Sequence, residues 1–433
     1  MKHYPAKLNI DLSLQPDLTI HRSGWPWAMK ALDVLHLPAG VLFDSFLERT
    51  FCWMKGNELK KKRIPYTRPW VGIIHNPPGI PVWHDYSTSP QEFMRTNEFQ
   101  DSLEFCHGIF VLSEYLRDWL SKQVNVPVES LVHPTDLNIE KFNFEKYQQA
   151  SNRSLIQVGW WLRRMTSIYR IPTTSVQKCL LDTNTEITQF LLEREQQESK
   201  FTKQERESVK RISYLNNAAY DKLLVENIVF IDLYDSSANN TIIECIARHT
   251  PLLVNPLPAV QEYLGDNYPF YFKTVEEAAR KAEDLELIEE TTNYLSQLSK
   301  FKLDREYFCY SIVNSTVYES LDINLYSNHS KQKRPHLSAQ LVDEKHGLIQ
   351  VDIELMRSPF GQVVVDWLEI KHSDVQKSQA ITQAIIKKIR GLSPKEASRI
   401  TSIDFHGECQ KEEKYSRITY LTISLIQKAL EAV

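Results

Sequence analysis

The sequence predicts an α/β protein with two doubly wound sheets facing a cleft, followed by a small α+β domain. Three observations carry this. Apolar runs ending in polar loops alternate with amphipathic segments; the pattern restarts at "LIQVGWWLRR" after a polar stretch; and the texture changes beyond residue 325.

In the first part, "PWVGIIHNPP" reads as a buried parallel strand opening into a rigid loop at His75-Asn76-Pro77-Pro78. "CHGIFVLSEYLRDWLSKQVNVP" repeats the pattern, with a strand over Ile109 to Leu112, Ser113 as a helix N-cap and an amphipathic helix from Glu114 to about Lys122. "VESLVHPTD" reads as a short closing strand. The polar segment "NIEKFNFEKYQQASNRS" sets a boundary near residue 150, so the division is 1–150, 151–325 and 326–433. In the second part the charged run "LEREQQESKFTKQERESVKR" reads as a solvated helix, and "NIVFIDL" and "PLLVNPL" continue the sheet. Past the polar linker "YSNHSKQKRPH" the order is strand, strand, helix, helix. "GLIQVDIELMR" and "GQVVVDWLEIKH" form a hairpin, followed by helices over "DVQKSQAITQAIIKKIRG" and "RITYLTISLIQKALEAV".

With 433 residues and a formal net charge of -4, the chain can bury a sizeable core and offers neither a nucleic-acid footprint nor a polybasic membrane anchor. The first thirty residues lack the unbroken apolar run of a signal peptide, and no later stretch reaches the length of a membrane span, so the expectation is a soluble, cytoplasmic protein. Six cysteines occur without a C-x-x-C pair, which argues against a zinc site or a disulfide framework.

The chemistry concentrates in "DSSANNTIIECIAR". A loop rich in Asp, Ser and Asn leads into a helix with Asn239 or Asn240 at its N-cap, and the N–H groups of the first turn favour a bound phosphate. Glu244 lies four residues after Asn240, on the same face and one turn deeper. A carboxylate there can accept hydrogen bonds from the two hydroxyls of a ribose while the diphosphate rests on the helix start.

The order "VLSEYLRDWL…VHPTD", then "VGWWLRR", then "NNTIIECIARHTPLLVNPLPAVQEYLG" resembles the retaining GT-B glycosyltransferases of the large family-four type, over residues 20 to 320. The resemblance implies a nucleotide-diphosphate sugar as donor substrate, no metal and no enzyme-bound cofactor. The acceptor, unidentified, would be a glycan, a lipid-linked sugar or a protein, in polysaccharide or glycoconjugate synthesis. It implies roles for Asn239, Asn240 and Thr241 in the phosphate loop, Glu244 on the ribose and Glu262 on the final loop. Arg163 and Arg164 would bind the diphosphate, His75 would stand near the transferred sugar, and Gly24 would lie beneath the donor. Two departures stand out. Ser236 occupies the place of a sugar-contacting Glu, with Asp235 one residue out of register, and the customary lysine after the arginines is missing.

The mechanism that the resemblance implies has the acceptor hydroxyl attack from the leaving-group side, with the departing phosphate oxygen taking its proton. Preplaced N–H groups and arginines stabilise the charge growing on the diphosphate. The segment 301–321 would be the last helix, crossing back to the first domain. A non-catalytic nucleotide-sugar-binding protein on the same scaffold is the alternative. A nicotinamide-dependent oxidoreductase is disfavoured because no G-x-G-x-x-G follows the first strand of either part. The C-terminal domain faintly resembles iron–sulfur scaffold domains but offers only His372 and Ser373 where cluster cysteines would stand, so an interaction or dimerisation module is the expectation.

Overall fold

The computed structural model describes residues 6–10, 24–321, 336–343, 347–357, 363–372, 392–402 and 413–430, with scattered positions between 382 and 389. Contacts divide it into two compact units. One is built on residues 24–34 and 42–321, the other on residues 6–10, 35–41 and the described residues from 336 onward.

The larger unit holds two parallel sheets, the Rossmann-like pair expected from the alternation of strands and helices. β1 (Leu8–Asn9) belongs to the other unit; the first strands of the larger one are β2 (Val41–Asp44), β3 (Trp70–Ile74), β4 (Cys106–Val111) and β5 (Val128–Ser130). β2 to β5 run side by side and parallel. β3 is buried at every position, which is why its sequence is a continuous apolar run. The helix after β4, Glu114–Leu120, starts where Ser113 accepts a hydrogen bond from the Leu116 N–H, as the N-cap reading expects.

The second sheet has the order β10–β9–β6–β7–β8, from β6 (Ser154–Gln157), β7 (Gln177–Leu181), β8 (Val209–Ile212), β9 (Ile228–Ile231) and β10 (Leu252–Val254). Its apolar strands and the helix Asn240–Arg248 share one core. The charged run after residue 190 corrects the single-helix reading. It contains a helix Thr185–Glu195, a second helix Lys203–Glu207 and the edge strand β8, whose Lys210 and Arg211 face solvent and hide its strand pattern. The segment 301–321 is also not one helix. Asp304 and Ser315 act as N-caps and divide it into a 3-10 turn, Phe301–Leu303, and the helices Arg305–Val313 and Thr316–Glu319. It does reach the first sheet: Thr316 donates to the Glu129 carboxylate from its N–H at 3.0 Å and its hydroxyl at 2.6 Å.

In the second unit an antiparallel sheet has the order β11–β12–β13, from His336–Asp343, Gly347–Arg357 and Val363–His372. The expected hairpin is there, with a third strand ahead of it that the polar, charge-broken sequence concealed. The closing helix is Glu413–Leu430, and Ile423, Ile426 and Leu430 pack with Ile349, Val351 and Ile353 in one core. The helix expected over "DVQKSQAITQAIIKKIRG" lies for the most part outside the described residues, as does Ser373.

Candidate functional site

The centre of the site is the start of the helix Asn240–Arg248. Asn239 caps it, its side chain accepting from the Thr241 N–H at 3.0 Å. Every residue from Thr241 to Arg248 is buried, including Glu244, which is 7% exposed. Glu244 is therefore a core carboxylate one turn below the cap, rather than a solvated residue on an open face.

Arg163 meets the same cap from the loop after β6. Its guanidinium donates to Thr241 Oγ1 at 3.0 Å, to Asn239 Oδ1 at 3.3 Å and to the Trp161 carbonyl. Its backbone bridges Leu233, which ties this loop to the end of β9. The side chain is buried, its Nε has no hydrogen-bond partner, and burial lowers its pKa to about 10. Among the described residues no carboxylate pairs with it. A guanidinium stays charged in such a place, so a buried positive charge stands beside a helix start with no anion to balance it.

Arg164 goes elsewhere. It pairs with Asp232 at 2.7 Å and lies over the Tyr234 ring at 4.6 Å. The two arginines thus leave the irregular loop after β6 in different directions, and only Arg163 joins Asn239 and Thr241.

Gly24, the residue before the helix Trp25–Ala31, approaches the same helix start. A Cβ placed on Gly24 would lie 3.4 Å from Asn240 Oδ1 and 3.1 Å from the His133 ring, and its φ of +82° also disfavours any side chain. Trp25 follows it and joins the two histidines, with ring centroids 4.4 Å from His75 and 5.5 Å from His133. His75 is held on all sides. Its N–H donates to Glu48 Oε1 at 2.8 Å, its Nε2 lies 2.9 Å from the Ser45 carbonyl oxygen, and Phe46 packs on its ring at 4.0 Å.

Of the remaining candidates Glu262 reaches the first sheet's part, from the helix Pro258–Leu264 rather than from the loop expected for it, and Ser236 stays within its own segment. Glu262 accepts from the N–H groups of Glu114 and Tyr115, each at 2.7 Å, so its carboxylate is engaged on the first turn of the helix after β4. Ser236 is buried, its N–H donating to Asp235 Oδ1 and its hydroxyl to the Ser237 carbonyl. Asp235 Oδ2 accepts from the Gly79 N–H at 2.7 Å and from the Tyr115 hydroxyl at 3.1 Å. Ser113 and Ser237 hydroxyls meet at 3.1 Å, and Tyr263 donates its hydroxyl to the Leu112 carbonyl while accepting from the His133 N–H.

Sequence reasoning missed Trp25, Glu48, His133 and the engagement of Asp235. "VHPTD" carried a signal for His133, since a histidine beyond a strand end stands where ligands sit. Glu48 gave none: it reaches His75 from 27 residues upstream. Among the described residues no group of three or more His, Cys, Asp or Glu side chains is placed to hold a metal ion, and no helix is long and apolar enough to cross a membrane.

No family model and no curated protein matches the sequence. Solved structures similar to it include HepE from Anabaena in complex with UDP and glucose, at 12% identity over 65% of this chain and 77% of that one, with a TM-score of 0.47. Sucrose-phosphate synthase from Thermosynechococcus elongatus is similar at 13% identity, 63% and 71% coverage and a TM-score of 0.46. TarM from S. aureus, in a complex with UDP, is similar at 12% identity, 66% and 58% coverage and a TM-score of 0.45.

Proposed function

We propose that the chain is a glycosyltransferase that takes a sugar from a nucleotide-diphosphate donor held at the start of the Asn240–Arg248 helix. The observation that carries this reading is Arg163: a buried guanidinium bonded to Asn239 and Thr241, without a carboxylate among the described residues. A diphosphate would supply the missing negative charge and would accept from the first-turn N–H groups. Glu244, one turn deeper, would accept from the ribose hydroxyls. Gly24 lets the backbone before the helix Trp25–Ala31 come close to Asn240, so a donor bound there would touch both segments.

In this reading the reaction uses charge placed in advance. As the sugar–phosphate bond breaks, negative charge grows on the leaving diphosphate, and Arg163 with the helix N–H groups stabilises it without reorganising. His75 contributes as a rigid wall near the transferred sugar, and Arg164 is the weaker contributor because Asp232 already holds it. Retention of configuration, independence from metal and the divisions near residues 150 and 325 belong to the same proposal. A second reading has an observation of its own: Ser236 stands where a sugar-contacting carboxylate belongs, and Asp235 beside it is bound by Gly79 and Tyr115. That arrangement would suit a nucleotide-sugar-binding protein without turnover.

One experiment separates the two. Nucleotide release is followed from a panel of nucleotide sugars, with and without candidate acceptors, beside calorimetric titration of the free nucleotide diphosphates. Binding with release supports the transferase, and binding without release supports the second reading. Absence of nucleotide binding would sink both.

A further inference from the structure

A cavity of about 470 Å³ opens at the ends of β6, β9 and β10. Of the residues given a part in the donor site, Arg164 lines it, whereas Arg163, Asn239, Thr241 and Glu244 do not, so the cavity borders that site and is centred elsewhere. Three more cations reach it from separate segments: Arg170 after β6, Arg194 near the end of the helix Thr185–Glu195, and Lys273 ahead of the helix Val275–Glu283. Trp83 and Tyr234 supply an aromatic wall, their ring centroids 5.6 Å apart.

The charges in the wall are not equally available. Arg164 and Asp232 neutralise each other at 2.7 Å. Glu195 is consumed by Thr166, through its N–H and hydroxyl, and by the Met165 N–H. Among the described residues Arg170, Arg194 and Lys273 form no ion pair; Arg170 faces the solvated carboxylates Glu205 and Glu276 at longer range, Arg194 lies over the Phe190 ring, and Glu198 is the other solvated carboxylate of the wall. Three cations outside any close ion pair, converging on one hollow, suit a compact dianion, because arginine forks bind phosphate oxygens two at a time. The aromatic wall suits the apolar face of a sugar ring, and the volume is in the range of a small-molecule site.

We propose that this cavity binds a small phosphate monoester, of the size of a monosaccharide phosphate, through Arg170, Arg194 and Lys273, with its carbon skeleton against Trp83 and Tyr234. The proposal does not rest on the donor reading: its three cations and two rings have no part in the donor site, and they would be there in a protein that transfers nothing.

The test uses the full chain and calorimetric titration with glucose 6-phosphate, inorganic phosphate and glucose, with UDP titrated into the same samples to report on the other site. The expected result is saturable binding of glucose 6-phosphate at millimolar or lower concentration, weaker binding of inorganic phosphate and none of glucose. Arg170→Ala with Lys273→Ala should weaken glucose 6-phosphate binding about tenfold or more, with UDP binding and the unfolding curve unchanged. Arg194→Glu, at an exposed position, gives a second reading of the same loss. The proposal is overturned if glucose 6-phosphate fails to saturate, if these variants bind it as the parent does, or if Arg163→Met abolishes its binding together with that of UDP.

Discussion

Both sheets of the larger unit bury charged side chains, carboxylates in the first and Glu195, Asp235 and Glu244 beside Arg163 in the second, and one of these charges is treated differently from the rest. Beneath the first sheet lie three carboxylates, Asp44, Glu48 and Glu58, all fully buried. Each has protein partners: the Tyr66 hydroxyl and Phe46 N–H for Asp44, the His75 and Asn76 N–H groups for Glu48, and Arg63 for Glu58. At the second sheet's helix start lies Arg163, with hydrogen bonds but, among the described residues, no carboxylate paired with it. The difference teaches which charge is structural. A buried group bonded by backbone N–H groups serves the fold, whereas a buried cation with no counter-charge is costly to the fold and favours a ligand that balances it.

Replacing the cation tests this most severely. Arg163→Met should weaken binding of a nucleotide diphosphate by about 3–5 kcal/mol, since a buried charge partner is lost. Its unfolding free energy should change by only about 1 kcal/mol, because no ion pair is broken. Calorimetry and urea unfolding on the same variant decide it, and a large loss of stability would put Arg163 in the structural class.

Glu48→Ala should behave in the opposite way. It leaves the His75 and Asn76 N–H groups without an acceptor, at about 2–3 kcal/mol of unfolding free energy. Nucleotide affinity, measured at a temperature where the variant is folded, should be retained. Glu244→Gln sharpens the boundary between the classes. It should lower affinity for nucleotide and for the phosphate-free nucleoside alike, by about 1–3 kcal/mol, since its proposed partner is the ribose. Equal loss for a 2′,3′-dideoxynucleoside diphosphate would contradict that partner.

The smallest effect is a slope. Burial raises the Glu48 carboxyl from 4.5 to about 7 despite the two backbone N–H groups that favour its charged form. The folded chain then holds a proton that the unfolded chain has released. Its contribution to stability is fully present below about pH 4.5 and is lost as pH rises through about 7, at about 1 kcal/mol per pH unit at most. Glu48→Gln cannot ionise, so the parent-minus-variant difference in unfolding free energy should fall across that window. A difference that stays flat would mean that Glu48 is ionised throughout.

Much of this fold could be read from residues in order, because a strand buried on both faces is a continuous apolar run and a cap is a local pattern. β3 and the Ser113 and Asn239 caps are of that kind. β8 was not, since two of its four residues are solvated cations. Part of the candidate site's geometry was legible for the same reason: Asn239, Thr241 and Glu244 share one helix start. What adjacency could not show is that Arg163 and Arg164 part company, or that Glu262 turns to the first sheet. Those outcomes depend on which way a side chain leaves an irregular loop and on which segment meets it from far along the chain.

The hydrogen bonds that Asp235, Ser237, Glu262 and Tyr263 make with residues 79 to 133 have a kinetic consequence. All four residues lie on the two segments flanking the Asn240 helix, so in the proposed function a donor that entered between the sheets would displace them. At about 1 kcal/mol each, they would keep the admitting form on the order of 1% of molecules or fewer, and the observed dissociation constant would exceed the intrinsic one by the inverse of that fraction. Gly79 sets how tightly the latch fits: a Cβ there would lie 2.5 Å from Asp235 Oδ2. A single added methyl group at residue 79 would therefore hold the entrance ajar and speed substrate capture, without touching any group proposed to take part in the chemistry.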